Sequence, residues 1–390
     1  MSCYINSNDN RFYAALESSY AAVAAITAQN RFPAVSLAAR QEVELPDRRD
    51  KTGGRTFVGL PAGLRRRTNW EVNTFLAGWT DETVEPGYGS LIRGALGAAP
   101  VTFNGGTLQS MVNPTQVQFG SDHGLSEGQA ITCDADLRFV TAIVDARTVT
   151  INAPFTKTPA SGALLGKTIT YRPAVDLPSV SLFDYWSPTA AVQRIVAGSA
   201  VDRMRVSING DFHLLQFSGP AADVIDSASF NAGQGSLTTF PAEPAVAPFS
   251  YSLVPGSLGQ IWMGTLPTQF FTITAAEVVV DNDVDLRVRE FGLAGPQCIT
   301  AGTRSVAADF TLFEQTDAAT IGLYQAARQR SPVSILLQMG QQLGHLCGVY
   351  LKSVVPEVPE FDDGETRLQW RFRNSRAQGS ADDEVVVAFG

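Results

Sequence analysis

Three histidines, His123, His213 and His345, are the whole imidazole complement of this 390-residue chain, and each stands alone. Acyl transfer needs a nucleophile, a base and an orienting group within reach of one another, and no such grouping is legible around any of them. His345 and Cys347 are two positions apart, the spacing of one strand face rather than of a nucleophile pair. Five carboxylates, Glu357, Glu360, Asp362, Asp363 and Glu365, gather at a proline-broken turn. Paired carboxylates hydrolyse glycosides when they flank a sugar, but no aromatic cleft signature accompanies these, and a solvated acidic turn is expected. The run Asp281-Asn282-Asp283-Val284-Asp285 alternates oxygen ligands as a calcium loop does, without the glycine and terminal glutamate of a helix-loop-helix site. It reads as an acidic loop. Gly53-Gly54 and Gly105-Gly106 match no phosphate-cradling fingerprint. Arg65-Arg66-Arg67 is open to three readings: a subunit contact with carboxylates, a phosphate contact in a channel, or a solvated strand end. The chain is expected to be no enzyme and to use no cofactor and no metal.

The bulk numbers agree with a folded protein. Hydrophobic residues make up 44% and charged residues only 17%, little charge for a monomer whose whole surface meets water. The net charge of -9 argues against sequence-specific reading of DNA, which wants a basic footprint. It does not argue against a wall along which DNA slides, since like charge prevents sticking. Cys3, Cys133, Cys298 and Cys347 lie far apart, with neither zinc spacing nor the density of a disulfide scaffold. No secretory pattern and no long apolar run is visible, so cytoplasmic assembly without a membrane is expected.

The elements that would position these residues are mostly strands. Arg66, Thr68, Trp70, Val72 and Thr74 alternate with Arg65, Arg67, Asn69, Glu71 and Asn73, so one sheet face is wholly polar. Ser90–Leu96 and Asp317–Ala327 read as short helices, the second capped by Asp317. Arg203–Gln216 reads as a hairpin turning at Asn209-Gly210-Asp211. Phe12–Ile26 reads as either a short helix or a docking arm, and Ala190–Ala197 as a short helix. Between 105 and 171 several short strand patterns form what looks like a small inserted module. Trp70, Trp262 and Trp370 fall on strand patterns as core residues or subunit anchors.

The end of the chain repeats part of its beginning. Arg304–Phe313, a short helix and a hairpin pattern over 349–373 mirror Arg65–Phe75, a short helix and the later 203–216 hairpin. The expected fold is mainly β: two β-sandwich domains, each with a short helix, plus a small inserted β module. The expected domains are 1–104 with 172–240, the module 105–171, a linker 241–267, and 268–390. Two such copies offer similar edges to neighbours, and head-to-tail joining that closes gives a ring.

On those patterns the chain resembles the major tail tube protein of long-tailed, siphovirus-like bacteriophages in its duplicated-domain form. That family is related to the tubes of contractile injection systems. The resemblance covers 30–103 with 172–228 and, more clearly, 268–389. It runs through Ile273–Asp281 as first strand, Asp283–Phe291 as the assembly loop, Arg304–Phe313, the helix, the hairpin and a closing strand. It implies a virion component assembled in the bacterial host: a homo-oligomer with three chains per stacked ring and a lumen through which phage genomic DNA passes. It also implies tail terminator, tape measure and tail-tip proteins as partners. Arg48, Arg49, Lys51, Arg65, Arg67, Asp281, Asp283 and Asp285 are then candidate subunit contacts, with the acidic loop of one ring meeting Arg48, Arg49 or Lys51 of the next. The competing expectation is a tail-tip or adhesin-like protein that binds through residues 105–171.

Overall fold

The computed structural model describes residues 4–60, 64–208, 210–246, 252–288, 290–293, 295–364 and 366–390. Cys3, Asn209 and Glu365, singled out above, lie outside the described residues. The protein is mainly β, with 28 strands and two α-helices, α1 (Gly89–Leu96) and α2 (Ala318–Gln329), among the described residues.

Sequence with period two becomes a half-covered sheet. Ala34–Val43, Arg66–Phe75, Leu214–Ala221, Arg203–Ile208, Ile273–Asp281, Ser305–Phe313 and Gln369–Ala377 lie side by side, every neighbouring pair antiparallel. Within Arg66–Phe75, Thr68, Trp70, Val72 and Thr74 are buried, while Asn69, Glu71 and Asn73 are not. The buried face packs through Trp70, Phe217, Phe310 and Phe372 onto Leu182, Val196, Leu337 and Val349 of two outer sheets. Helix α2 starts where Asp317 accepts the amides of Ala319 at 2.8 Å and Thr320 at 2.9 Å, satisfying donors that a helix leaves orphaned.

The two halves repeat one series of pairings. In the first, the outer sheet runs Asp223–Asp226, Arg194–Ser199, Val180–Trp186, Asn10–Leu16, Arg31–Phe32. In the second, Val386–Phe389, Cys347–Val355, Val333–Met339, Gly259–Gly264 and Thr268–Phe270 follow the same order. The bulges coincide as well. A register shift between Ala34 and Ser36 is matched between Ile273 and Ala275, and one between Val180 and Leu182 is matched between Val333 and Ile335. A bulge re-aims its strand at one position, so two coincident bulges fix the alignment of the halves.

Three stretches differ from their sequence expectations. Phe12–Ile26 holds no helix; its first residues belong to the strand Asn10–Leu16, which is hydrogen-bonded between Val180–Trp186 and Arg31–Phe32 in the first outer sheet. Ala190–Ala197 gives way to the strand Arg194–Ser199. Outer-sheet strands are covered on both faces, so their sequences run apolar without alternation and mimic a short buried helix. The stretch 241–267, expected as a linker, supplies Gly259–Gly264, which pairs along its whole length with Val333–Met339.

Each outer face is covered by other parts of the same chain. On the first half, Phe230, Leu237 and Phe240 form a strap over Tyr13, Phe183 and Tyr185. Glu243 ties the strap down by accepting from Arg11 and from the Tyr13 hydroxyl at 2.9 Å. On the second half sits a closed barrel of six strands, Gly106–Asn113, Gln116–Phe119, Ala130–Cys133, Asp136–Asp145, Thr148–Ile151 and Leu164–Gly166. Its stem Thr168–Tyr171 pairs with Val386–Phe389, and Leu137 and Phe139 pack on Trp262, Leu336 and Tyr350. Arg138, fully buried in that seam, donates to Pro154 O at 2.8 Å, Gln338 Oε1 at 3.1 Å and Gln260 Oε1 at 3.3 Å. It also pairs with Asp136 at 3.2 Å and lies over the rings of Phe155 and Trp262.

Removing one partner of a buried ion pair leaves the other charge stranded. Arg138→Ala is therefore expected to destabilise the barrel seam by about 3–5 kcal/mol, read as a lower urea midpoint; an unchanged midpoint would show that the seam does not depend on it. A second expectation concerns pH. Burial pushes the Glu243 carboxyl up, but hydrogen bonds from Arg11 and Tyr13 outweigh it and hold the pKa below its ordinary 4.5. Stability from a depressed carboxylate is complete above the unfolded pKa and is lost as pH falls through the folded one. Strap amides at 227–246 should thus exchange faster below that range after correction for intrinsic rates. Glu243→Gln should show the same loosening at pH 7.

Candidate functional site

Among the described residues, no layer of the chain covers the polar face of the seven inner strands. Antiparallel register places its side chains in rows across strands. Glu71 Oε1 accepts from Asn73 Nδ2 at 2.8 Å and Gln216 Nε2 at 2.9 Å, and Asn73 Nδ2 reaches Ser36 Oγ at 3.3 Å. Glu277 takes the Ser207 hydroxyl at 3.1 Å and faces Arg205 at 3.4 Å. Arg203 stands opposite Asp281 in the pairing. Acids on this face are interleaved with amides, hydroxyls and arginines, so it presents polar contacts without a block of one sign.

At one end of the sheet the face deepens into a groove of about 1110 Å³, between the first half and the loop that follows Ile273–Asp281. Arg65, Arg66 and Arg67 line one side, and Asp285, Arg287 and Glu290 the other. The loop is held by two residues that the sequence reading did not single out for this role. Asn282, 2% exposed, donates to Ala95 O at 2.9 Å and Val201 O at 3.0 Å, at the C-terminal end of α1. Asp202 accepts the amide of Val284 at 2.7 Å with its carboxylate and that of Asn282 at 2.8 Å with its carbonyl. Burial raises the Asp202 pKa and neighbouring Asp281 and Asp283 add to this, against the Val284 amide. In sequence, Asn282 is hidden inside an acidic run, and its partners lie some 80 and 190 positions away.

Of the residues expected to make contacts, Arg65, Arg67 and Asp285 meet in this groove. Asp281 Oδ1 accepts the Asp283 amide at 3.2 Å, turning the chain where Asp283 adopts a φ of 49°. Arg48 pairs with Asp50 and Arg49 with Asp47 inside their own loop, and Lys51 is exposed. That loop leaves Val43 and Arg66, and the acidic loop leaves Asp281 and Ser305, from the same end of the sheet.

The other candidates are dispersed. His123 bridges Asp145 O and the Leu125 amide in a barrel turn, and burial lowers the pKa of His213. Glu357, Glu360 and Asp362 are each ion-paired, with Arg330, Arg373 and Arg371 respectively. Trp70, Trp262 and Trp370 are buried. Among the described residues no three His, Cys, Asp or Glu side chains gather to hold a metal, and no helix is long and apolar enough to cross a membrane. A scan against protein-family models finds no match, and a search of curated proteins finds no significant similarity.

The tie at Asn282 gives a graded expectation. Asn282→Ala leaves two buried carbonyls without a donor and should cost about 1–3 kcal/mol in unfolding free energy. Asn282→Asp should cost more, because an acceptor-only anion then faces two carbonyls. Wild-type stability in the aspartate variant would remove Asn282 as the tie.

Proposed function

We propose that the chain is a structural, non-catalytic subunit of a phage tail tube: three copies close a ring, rings stack, and the polar sheet face lines the channel for genomic DNA. One observation carries the reading. A single sheet runs through both halves with one polar face left bare, while both outer faces are covered by the strap and the barrel. A monomer gains nothing from covering its outside so thoroughly and leaving one broad face and two sheet borders open. A ring subunit needs that division. Its neighbours complete the borders, and the bare face turns inward onto the lumen.

The chemistry of the face suits passage of a polyanion. Phosphate binding strengthens with each cation that releases counterions, so a single-sign basic lining would hold DNA rather than conduct it. Arginines paired with acids along the strands give little net attraction at any one place. The barrel lies on the far side of the second outer sheet from this face, so it would decorate the outside of a tube. In this reading the protein is a virion component that meets tail terminator, tape measure and tail-tip proteins at the ends of the stack.

Negative-stain imaging of purified protein over rising concentration tests the reading. Stacked rings with a central channel are expected. A compact monomer at every concentration, or a glycan bound by residues 106–166 without polymerisation, would replace it with a binding protein.

A further inference from the structure

The chain contains its own example of how two units join. Strand Arg203–Ile208 of the first half pairs with Ile273–Asp281 of the second, from Arg203 opposite Asp281 to Ile208 opposite Ala276. The second half has a counterpart of the first of these strands. Val354 and Val355 pair with Ala377 and Arg376, and Glu360–Asp362 pair with Arg371, Trp370 and Gln369 in the same register. Among the described residues no strand pairs with the other side of 358–362. At the opposite border, Ala34–Val43 holds the place of Ile273–Asp281, bulge included, and its outer side is likewise without a described strand.

We propose that these two borders are complementary: Ala34–Val43 of one copy pairs antiparallel with 358–363 of a second copy of this chain. The register follows from the alignment of the halves. Phe217 pairs with Val72 as Phe372 pairs with Phe310, so Arg203, opposite Ser218, corresponds to Val358, beside Arg373. The matching bulges make Asp281 correspond to Glu42 and Ala276 to Leu37. Glu42 then faces Val358, Arg40 faces Glu360 and Ala38 faces Asp362. This joint deepens the ring reading and rests on it.

Burial and charge both favour this occupant. Phe361 is 56% exposed, yet its counterpart in the internal joint, Val206, is 2% exposed. Ala39, half-buried at the border, corresponds to Val278, which is 1% exposed. The proposed register puts Phe361 opposite Ala39 on the core side, removing from water a ring now covered on one side by Tyr324 and Trp370. On the open side Arg40 and Glu360, each now in an exposed ion pair with a neighbour on its own border, meet across the joint. In the internal joint Arg203 stands opposite Asp281 on the same face.

Cysteine pairs read the register directly. In a background with Cys3 and Cys298 replaced by Ser, Ser207→Cys with Glu277→Cys calibrates the internal joint and should close within one chain. Ala38→Cys with Asp362→Cys occupies the corresponding places and should link chain to chain under mild oxidation, ending at a closed trimer. Ala38→Cys with Glu360→Cys, two residues out of register, should link several-fold less. All samples are imaged. Rings that link the shifted pair as well as the in-register one overturn the joint and leave the ring standing. Absence of rings at every concentration overturns both.

Discussion

Everything in this architecture follows from the need of a strand to satisfy backbone donors and acceptors on both of its sides. A sandwich half ends in two borders, and each border is a row of unpaired amides and carbonyls. The chain satisfies two of its four internally by laying Arg203–Ile208 against Ile273–Asp281. That single pairing joins the inner strands of the two halves into one continuous sheet and fixes the halves side by side. It also places the loop after Ile273–Asp281 over the neighbouring half, where Asn282 and Asp202 hold it. Polar rows on the open face stay aligned only because the joint keeps register. A slip by one residue would turn Arg203 and Arg205 into the core and Met204 and Val206 out.

The outside is organised by a second constraint. An outer sheet with apolar residues on both faces needs a cover, and the two halves found different ones. The strap closes the first half mainly with aromatic side chains and one carboxylate. The barrel closes the second with a seam in which a fully buried guanidinium is surrounded by acceptors. Burial lowers the Arg138 pKa to about 10, and Asp136 works against that shift, which shows how costly the seam would be without its partners. The two halves therefore share pairings and bulges yet differ in what their outer surfaces present.

How much of this was legible in the sequence depended on burial. Strands with one wet face, such as Arg66–Phe75 and Ser305–Phe313, betray themselves by alternation, and so did the polar face that became the candidate site. Helix α2 was announced by Asp317, whose carboxylate does what a cap residue does. Asn10–Leu16 and Arg194–Ser199 were not legible, because burial on both faces erases period two and leaves short apolar runs that suit helix and strand equally. The strap and the tie at Asn282 were invisible for another reason. Their partners are distant in sequence, and no local pattern encodes a contact between Glu243 and Arg11 or between Asn282 and Ala95. The groove required both halves to be aligned before Arg65, Arg67 and Asp285 became neighbours.

A chain that carries two open borders must also avoid pairing with anything that passes. The sequence at those borders answers this. Pro356 and Pro359 lack amide donors and interrupt the ladder to Gln369–Ala377 between Val355 and Glu360, so the border is offered in a short piece rather than as a long flat edge. Glu360 and Asp362 on that piece, and Arg40 and Glu42 on the opposite border, charge both edges, and each border's charges are satisfied locally while the chain is alone. In the proposed joint, two copies would exchange those exposed ion pairs for a cross-chain one, a change of little net value at any single pair. The apolar gain at Phe361 and the backbone bonds must then supply the free energy. Under the proposed joint, such a border would favour one partner in one register.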